Sequence, residues 1–416
     1  MASHIIQFES QIQTPINANV SFVEISPTGN TVFLGDIPNA YGYVFYRASN
    51  FTDFQRIRAY DATVRSYGFG TAAAFSHDDS VLTVGGSGSA PVGGVWVFTK
   101  NTTTQQYIQF QPQMIISGNI GGSGVGLTIA CDYNCTTIIS GGYNDNNGIG
   151  SVFVFGLTNG TYQQVAKLVP MTYSKITLGS NMVLMSFDAN LVIASSFLAV
   201  WIFENLGDGT WSQTSIENPT IDSFAMSIAY SSISKTLFVG AQSSIYVYKR
   251  SLANNDNWEE VSENPSCSGL FSADDKGDVL IFSGCSESQV YSYFEPIDVL
   301  LPMVTLPGYP ITASSDAQGT HFLTTSSANP AIAATIYSLN TTTFHYYVPA
   351  AQVVDAIGAI FGFIIVLALG IAFYSFSNRN VEVQRSKSSK VPLAVVVDFH
   401  QEVSDVAEAR VAGAGV

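Results

Sequence analysis

Charged side chains are scarce in this sequence, and basic ones are the scarcest. Only 11% of the 416 residues are Asp, Glu, Lys or Arg, and the formal net charge is −15. Surfaces that bind DNA or RNA are rich in Lys and Arg, because they must neutralise phosphates. The composition therefore argues against a nucleic-acid partner.

Catalytic and cofactor-binding motifs are also missing. The sequence has no G-x-S-x-G elbow, no P-loop and no dinucleotide-binding fingerprint. Its histidines are too scattered to predict a metal-ligand set or a catalytic dyad. They are His4, His77, His321, His345 and His400. We therefore expect no enzyme activity, no cofactor and no bound metal.

Long apolar runs are rare as well, with one exception at residues 356–376. That segment, AIGAIFGFIIVLALGIAFYSF, contains no charged residue, and about 20 apolar residues suffice to cross a bilayer as a helix. A buried helix of a globular protein would show a polar stripe, which this segment lacks. The segment predicts a transmembrane helix that contacts membrane lipid through residues 356–376.

Basic residues on the two sides of this helix predict its orientation. The nearest one before it is Lys276, whereas four follow it closely: Arg379, Arg385, Lys387 and Lys390. Basic flanks stay on the cytosolic side, where this cluster would lie against anionic lipid. Within the helix, Gly358 and Gly362 have the G-x-x-x-G spacing that lets two helices approach closely, so a homo-oligomer is a further expectation.

This orientation divides the chain into three parts. Residues 1–350 are predicted to form an extracytoplasmic domain, residues 351–377 the membrane helix with short flanks, and residues 378–416 a disordered cytosolic tail. The compartment would be the cell surface or an endomembrane. The start, MASHIIQFESQIQT, has no signal-peptide pattern. We expect a leader that this sequence does not include, with unconventional export or an inverted topology as alternatives.

An alternating apolar run recurs seven times before the membrane segment. The copies are Gly42–Tyr46, Val95–Phe98, Val152–Phe155, Val200–Phe203, Tyr246–Tyr248, Val290–Tyr293 and Ala334–Tyr337. Their spacing of about 45 to 57 residues is typical of propeller blades. Each repeat reads, in chain order, as a strand of small residues, a polar turn, a Val/Ile/Leu-rich strand, the alternating run and a polar outer strand. The pattern predicts an all-β fold, a seven-bladed β-propeller of four-stranded blades.

Closure of the ring leaves one alternative open. A propeller avoids exposed sheet edges by completing its last blade with a strand from the other end of the chain or from its own end. Residues 5–8, Ile-Ile-Gln-Phe, read as an outer strand, and residues 344–347, Phe-His-Tyr-Tyr, compete for the same position.

Blades two to five resemble FG-GAP repeats. The resemblance rests on FGTAAAFSHDDSVLTVGG (residues 69–86), followed by GGVWVF, and on the similar DSFAMSIAYSSISKTLFVGA (residues 222–241). The FG-GAP family builds seven-bladed propellers, including the head of integrin α-chains. The resemblance implies this fold for residues 21–350, and a calcium loop at the tip between the first two strands of a blade.

The tips here do not carry the acidic spacing of that loop. They read SPTGN, SHDDS, CDYNC, SFDAN, SSISK, DDKGD and DAQGT. Because calcium takes several oxygen ligands from one loop, we expect no calcium at these tips. A further candidate cation loop, YNDNNG at residues 143–148, lacks a closing acid and reads better as a Gly/Asn-rich turn.

Two cysteine pairs flank predicted hairpins. Cys267 and Cys285 lie symmetrically about Lys276, and Cys131 and Cys135 bracket a turn. Antiparallel register would bring each pair within disulfide reach. A zinc site is disfavoured, because no second Cys or His pair has ligand spacing.

Six N-x-S/T sequons lie on the side predicted to be exported. They begin at Asn19, Asn50, Asn101, Asn134, Asn159 and Asn340. Asn134 lies between two cysteines, so it is expected to escape glycosylation more readily than the others.

These observations predict a single-pass membrane protein whose propeller binds a protein or glycan partner, in adhesion, reception or a surface assembly. A propeller presents loops from seven blades around one axis, which suits recognition of a large partner. The alternatives are a membrane-anchored enzyme with its site in the central channel, and a scaffold subunit of a membrane complex.

Overall fold

The chain builds seven four-stranded sheets, which confirms the predicted seven-bladed β-propeller. All described residues lie in one compact unit, Met1–His345. The computed structural model describes residues 6–15, 18–60, 68–88, 92–171, 177–196, 198–218, 223–250, 257–265, 269–283, 288–295, 298–306, 313–324 and 332–339.

Each blade is an antiparallel meander whose first strand is innermost. The first strands are β2 (Phe22–Ile25), β6 (Phe69–Phe75), β10 (Ile129–Cys131), β14 (Val183–Met185), β18 (Ser227–Ser231), β22 (Leu270–Ala273) and β26 (Ala313–Ser315). The second strands are β3 (Thr31–Asp36), β7 (Val81–Gly86), β11 (Thr137–Gly141), β15 (Leu191–Ser195), β19 (Thr236–Gly240), β23 (Val279–Ser283) and β27 (His321–Thr324).

The third strands contain the seven recurring runs. They are β4 (Tyr41–Tyr46), β8 (Val95–Lys100), β12 (Val152–Thr158), β16 (Ala199–Asn205), β20 (Ser244–Arg250), β24 (Ser288–Phe294) and β28 (Ile332–Leu339). The outer strands are β5 (Phe54–Ile57), β9 (Tyr107–Gln109), β13 (Thr161–Leu168), β17 (Trp211–Glu217), β21 (Trp258–Pro265), β25 (Val299–Leu306) and β1 (Ile6–Gln13). Two short helical turns, Arg47–Ser49 and α1 (Asp145–Gly148), lie in connections.

The N-terminal strand completes the last blade. β1 pairs antiparallel with β28, from Ile6 opposite Leu339 to Gln13 opposite Ile332. The structure thus selects the N-terminal of the two predicted closing strands, and residues 344–347 lie outside the described part of the chain. The first strands contact one another around the whole ring, from β2 through β26 and back to β2.

The hydrophobic core lies between adjacent blades. Each of seven apolar clusters combines residues of two neighbouring sheets; one, for example, packs Val44 of the first blade on Phe69 and Trp96 of the second. A sheet covered on both faces needs apolar residues in succession, which explains the continuous Val/Ile/Leu runs of the second strands. Burying these faces supplies the main stabilisation of the fold.

Glycine at the end of the second strand allows neighbouring blades to approach. A Cβ on Gly35 would lie 1.9 Å from the carbonyl oxygen of Gly70 in the next blade, and one on Gly85 would lie 2.1 Å from that of Gly126. No side chain fits in that space. The small residues that close these strands are therefore a packing requirement.

Several predictions concern residues that the structure does not describe. They are the membrane segment 356–376 with Gly358 and Gly362, the basic residues Arg379, Arg385, Lys387 and Lys390, the cysteines Cys267 and Cys285, and the sequon at Asn340. Among the residues described, no helix has the length and apolar character needed to span a membrane. What the sequence indicates for these residues therefore stays a prediction.

Candidate functional site

The centre of the propeller holds a partly open cavity of about 500 Å³. Six of the seven first strands line it, those of all blades except the fifth. Half-buried side chains on these strands line it, some apolar and some hydroxyl-bearing: Phe22, Ala130, Leu184, Thr71 and Ser272. Thr128, which directly precedes β10, lines it as well. The volume lies in the range of small-molecule sites.

Glu24 is an acid on the wall of this cavity. It is in β2, and its Oε1 accepts a hydrogen bond from Ser314 Oγ at 3.1 Å. The described residues give this carboxylate no other hydrogen bond and no cation. Burial raises the pKa of Glu24 to about 8, because the hydrogen bond from Ser314 offsets only part of the desolvation. The carboxyl group is therefore mostly protonated at pH 7.

One end of the cavity is formed by the turns between first and second strands, which share a hydrogen-bond pattern. In six blades a buried Ser or Asp at the start of the turn accepts a hydrogen bond from the backbone N–H five residues later, at 2.9–3.1 Å. These residues are Ser26, Ser76, Asp132, Ser186, Asp274 and Asp316; Ser231 of the fifth blade accepts from Ser234 N at 3.0 Å. The acids of these turns are thus part of the turn itself.

Hydrogen bonds also join neighbouring turns into a ring around the axis. In five of them, a backbone N–H of one turn donates to the next turn along the ring. From the second blade to the fifth, His77 N donates to Tyr133 O (2.9 Å), Tyr133 N to Phe187 O (3.2 Å) and Phe187 N to Ser232 Oγ (3.1 Å). From the sixth blade to the first, Asp275 N donates to Ala317 O (3.0 Å) and Ala317 N to Pro27 O (3.0 Å). Between the fifth and sixth blades, Ser231 Oγ donates to Asp275 O at 2.7 Å.

The ring needs a substitute between the first and second blades, because Pro27 has no N–H to donate. Asp79 of the second blade supplies it. Its Oδ2 accepts hydrogen bonds from Ser26 Oγ at 2.9 Å and Thr31 Oγ1 at 3.2 Å, and also from Thr28 Oγ1. The turn geometry is therefore held around the full circle.

A hydrogen bond between two side chains crosses the axis at this end. His77 Nε2 of the second blade lies 2.9 Å from Asp275 Oδ2 of the sixth, 198 residues further along the chain. The imidazole stacks on Tyr133 with centroids 4.2 Å apart, and Phe187 meets both rings edge-on. Burial raises the pKa of Asp275, although the hydrogen bond from His77 opposes the shift.

A second charged cluster lies at the seam where β1 closes the ring. Asp316 Oδ2 accepts from His321 Nδ1 at 2.6 Å and from Thr320 Oγ1 at 2.9 Å. Glu9 of β1 pairs with Arg47 of the first blade. Burial acts to raise the pKa of Asp316, but the hydrogen bonds from His321 and Thr320 outweigh it, so the pKa lies below its usual value.

The candidate cation loop at residues 143–148 already contains a cation of the protein. Lys167 Nζ lies 2.7 Å from Asp145 Oδ2, 2.6 Å from Gly118 O and 3.3 Å from Asn146 Oδ1. Ile120 N and Ser151 Oγ donate to the same carboxylate, each at 2.7 Å. An ammonium group thus occupies the place that a metal ion would take.

Cys131 and Cys135 form a disulfide, as predicted. The bridge spans the turn of the third blade, in which Cys135 has a positive φ of 52°. Among the described residues, no group of three or more His, Cys, Asp or Glu side chains could hold a metal ion.

The described sequons are concentrated on one face. The turns between first and second strands and those between third and fourth strands lie at the same edge of each sheet; Lys100 N, for instance, donates to Ser80 O at 2.8 Å. Four sequons lie in these turns: Asn50, Asn101, Asn134 and Asn159. Asn19 precedes β2 and lies at the opposite edge. All but the half-buried Asn101 are exposed.

Sequence reasoning missed Glu24 and the pair of His77 with Asp275. A single acid in the alternating strand FVEI reads as an ordinary solvent-facing position, and no local signal relates residues 198 positions apart. The Ser or Asp that begins each turn was detectable, because it recurs five positions before the second strand.

Comparison with known proteins supports the fold. No family model matches this chain, and no curated protein matches its sequence. Among solved structures, the crystal structure of the RRP9 WD40 repeats is similar, with a TM-score of 0.57 and 12% sequence identity over 81% of this chain and 100% of that chain. At this identity the similarity shows the propeller fold alone. The FG-GAP resemblance stays a prediction.

Proposed function

We propose that this chain is a single-pass membrane protein whose extracytoplasmic propeller binds a protein partner. The binding surface would be the axial face, by which we mean the ring of turns between first and second strands. The observation that carries this proposal is the group of aromatic side chains at the centre of that ring.

The axial face combines exposed apolar groups with a rigid backbone. Tyr133 is 41% exposed and packs on His77 and Phe187, and Ile233 in the turn of the fifth blade is 59% exposed. Aromatic residues dominate the energetics of protein interfaces. Because hydrogen bonds join the turns around the axis, little backbone freedom is lost when a partner binds.

The membrane part of the proposal rests on the sequence. The uncharged segment 356–376 and the basic residues after it predict one crossing with a cytosolic C-terminus. A disulfide between Cys131 and Cys135 suits an oxidising compartment. The sequons at Asn50, Asn101 and Asn159 lie in the outer turns, so glycans there would leave the axis free.

Photo-crosslinking tests the binding surface. A photoreactive phenylalanine analogue replaces Tyr133 in cells, and a matched control carries it at Ile108, which is 55% exposed on the outer strand β9. We expect a discrete adduct from position 133 that is lost when Ile233→Asp is added. An adduct from position 108 alone, or equal adducts from both positions, contradicts the proposed surface. An adduct with twice the mass of the chain would identify the partner as a second copy.

Protease protection tests the topology separately. Protease added to sealed, right-side-out cells or vesicles should digest the propeller and spare an epitope at the C-terminus. Digestion of the C-terminal epitope alone would show that the orientation is the reverse of the proposed one. Protection of both ends would contradict the single crossing.

A further inference from the structure

We propose that the central cavity binds a small organic cation and that the Glu24 carboxylate pairs with its ammonium group. The proposal concerns the interior of the propeller, so it does not depend on the membrane topology or on the axial face.

The electrostatic character of the cavity carries the first step. Three acids line it, Glu24, Asp275 and Asp316, and none of the described lining residues is Lys, Arg or His. An anionic ligand would therefore find no cationic side chain among these lining residues, whereas a cation would find carboxyl groups to pair with.

The partners of the three acids distinguish Glu24 from the others. Asp275 is bonded to His77 at 2.9 Å and Asp316 to His321 at 2.6 Å. Among the described residues, Glu24 has one hydrogen-bond donor, the neutral hydroxyl group of Ser314. Glu24 is half-buried on the cavity wall. A carboxylate that is partly removed from water and has no cation beside it either keeps its proton or acquires a positive partner. A ligand ammonium group would supply that partner.

The wall of the cavity indicates the rest of the ligand. Phe22, Ala130 and Leu184 offer apolar surface, and Thr71 and Thr128 offer hydroxyl groups. Calcium is a poor fit, because it takes about 6–8 oxygen ligands and this site offers one unpaired carboxylate. The best match is a primary or secondary amine on an apolar body that fits about 500 Å³.

Binding of such a ligand would be linked to release of a proton. Burial raises the pKa of Glu24 to about 8, so an ammonium group must displace the proton at neutral pH. The apparent affinity for a permanently charged amine should therefore rise about tenfold per pH unit up to about pH 8 and then level off.

Calorimetric titration of the purified full-length chain tests the proposal. The probes are benzylamine and its neutral analogue benzyl alcohol, each at pH 6, 7 and 8 and in two buffers that differ in protonation enthalpy. We expect benzylamine to bind more tightly than benzyl alcohol, with release of close to one proton at pH 7. Glu24→Gln should lower the affinity for benzylamine at least about tenfold at pH 8. It should leave the affinity for benzyl alcohol unchanged.

The control is Asp278→Asn, an exposed acid that does not line the cavity, and it should bind like the wild type. Equal affinity of benzylamine for the wild type and Glu24→Gln contradicts the proposal, as does benzylamine binding without proton release or no binding at millimolar concentration. Proton release by the wild type is a test that does not depend on how well the variant folds.

Discussion

Acids occur in two regions near the axis of this propeller, and the two differ in how their charge is satisfied. At the axial face, the side chains of Asp132, Asp274 and Asp316 accept hydrogen bonds from the backbone of their own turns. In the cavity, Glu24 accepts one hydrogen bond from Ser314. The carboxylates of the axial face are hydrogen-bonded within the fold, whereas the carboxyl group of Glu24 remains available to a ligand.

This difference shows why counting acids in a propeller tip is a poor guide to metal binding. A carboxylate that caps a turn has its lone pairs directed at N–H groups, so a calcium ion would have to replace them. A carboxylate that faces a cavity without a cation keeps its capacity for a charged partner. The predictions below test the two halves of this comparison, from the largest expected effect to the smallest.

The largest effect is expected from removing an acid of the axial face. Asp316→Ala deletes acceptors for Thr320 N (2.7 Å), His321 N (3.1 Å) and the His321 ring, leaving half-buried donors unpaired. The free energy of unfolding should fall by about 4 kcal/mol, measured by urea denaturation. The control is Asp278→Ala, an exposed acid in the equivalent turn of the sixth blade, which should change stability by less than about 0.5 kcal/mol. Similar losses in the two variants would contradict the structural role of Asp316.

Glu24→Gln should stabilise the protein at high pH, in contrast to the loss expected for Asp316→Ala. The folded-state pKa of Glu24 is raised to about 8, so the stability conferred by its proton is complete below the unfolded-state pKa and is lost as pH rises through about 8. The variant lacks this titration. Relative to the wild type, it should gain about 3 kcal/mol between pH 6 and pH 9, less if water fills the cavity. Parallel stability profiles over this range would mean that Glu24 titrates normally.

The hydrogen bond across the axis should contribute less to stability. His77→Phe keeps a ring to stack on Tyr133 but removes the hydrogen bond to Asp275 Oδ2, and should cost about 1 kcal/mol. His77→Ala loses the stacking as well and should cost about 2 kcal/mol. If the two variants lose the same stability, the stacking on Tyr133 contributes nothing.

The smallest effect is expected from calcium. A ligand that binds only the native state raises the melting temperature according to the logarithm of its concentration over its Kd. Because the turn acids are already bonded to their own backbone and Lys167 occupies the loop at Asp145, the melting temperature should be the same in millimolar calcium and in chelator. A clear upward shift with calcium would show that one of these loops can open to bind it.

The sequence predicted the blades well because their signal is local. The alternating run of Val95–Lys100 and the continuous run of Leu191–Ser195 reflect sheets that are covered on both faces, and both are strands in the structure. Closure by β1 could not be chosen in advance, because its pattern and that of residues 344–347 are alike and the choice depends on which strand pairs with β28.

The candidate site was harder to predict because it depends on which distant residues meet. Glu24 occupies the solvent-facing position of a short strand, and only ring closure converts that position into the wall of a cavity. His77 and Asp275 meet across the axis from the second and sixth blades. The disulfide of Cys131 with Cys135 was predictable, because both cysteines belong to one hairpin.

Infrared spectroscopy of the carboxyl groups tests the central claim most directly, namely that Glu24 is a neutral acid in the empty cavity and an anion when a cation is bound. The difference spectrum between the wild type and Glu24→Gln removes the signals of other acids, including Asp274, whose pKa burial raises to about 6. We predict a protonated-carboxyl band in this difference at pH 7 that disappears as pH rises through about 8 and also disappears when benzylamine is added at pH 7. A difference spectrum without that band at pH 7, or a band that benzylamine leaves unchanged, would contradict the account.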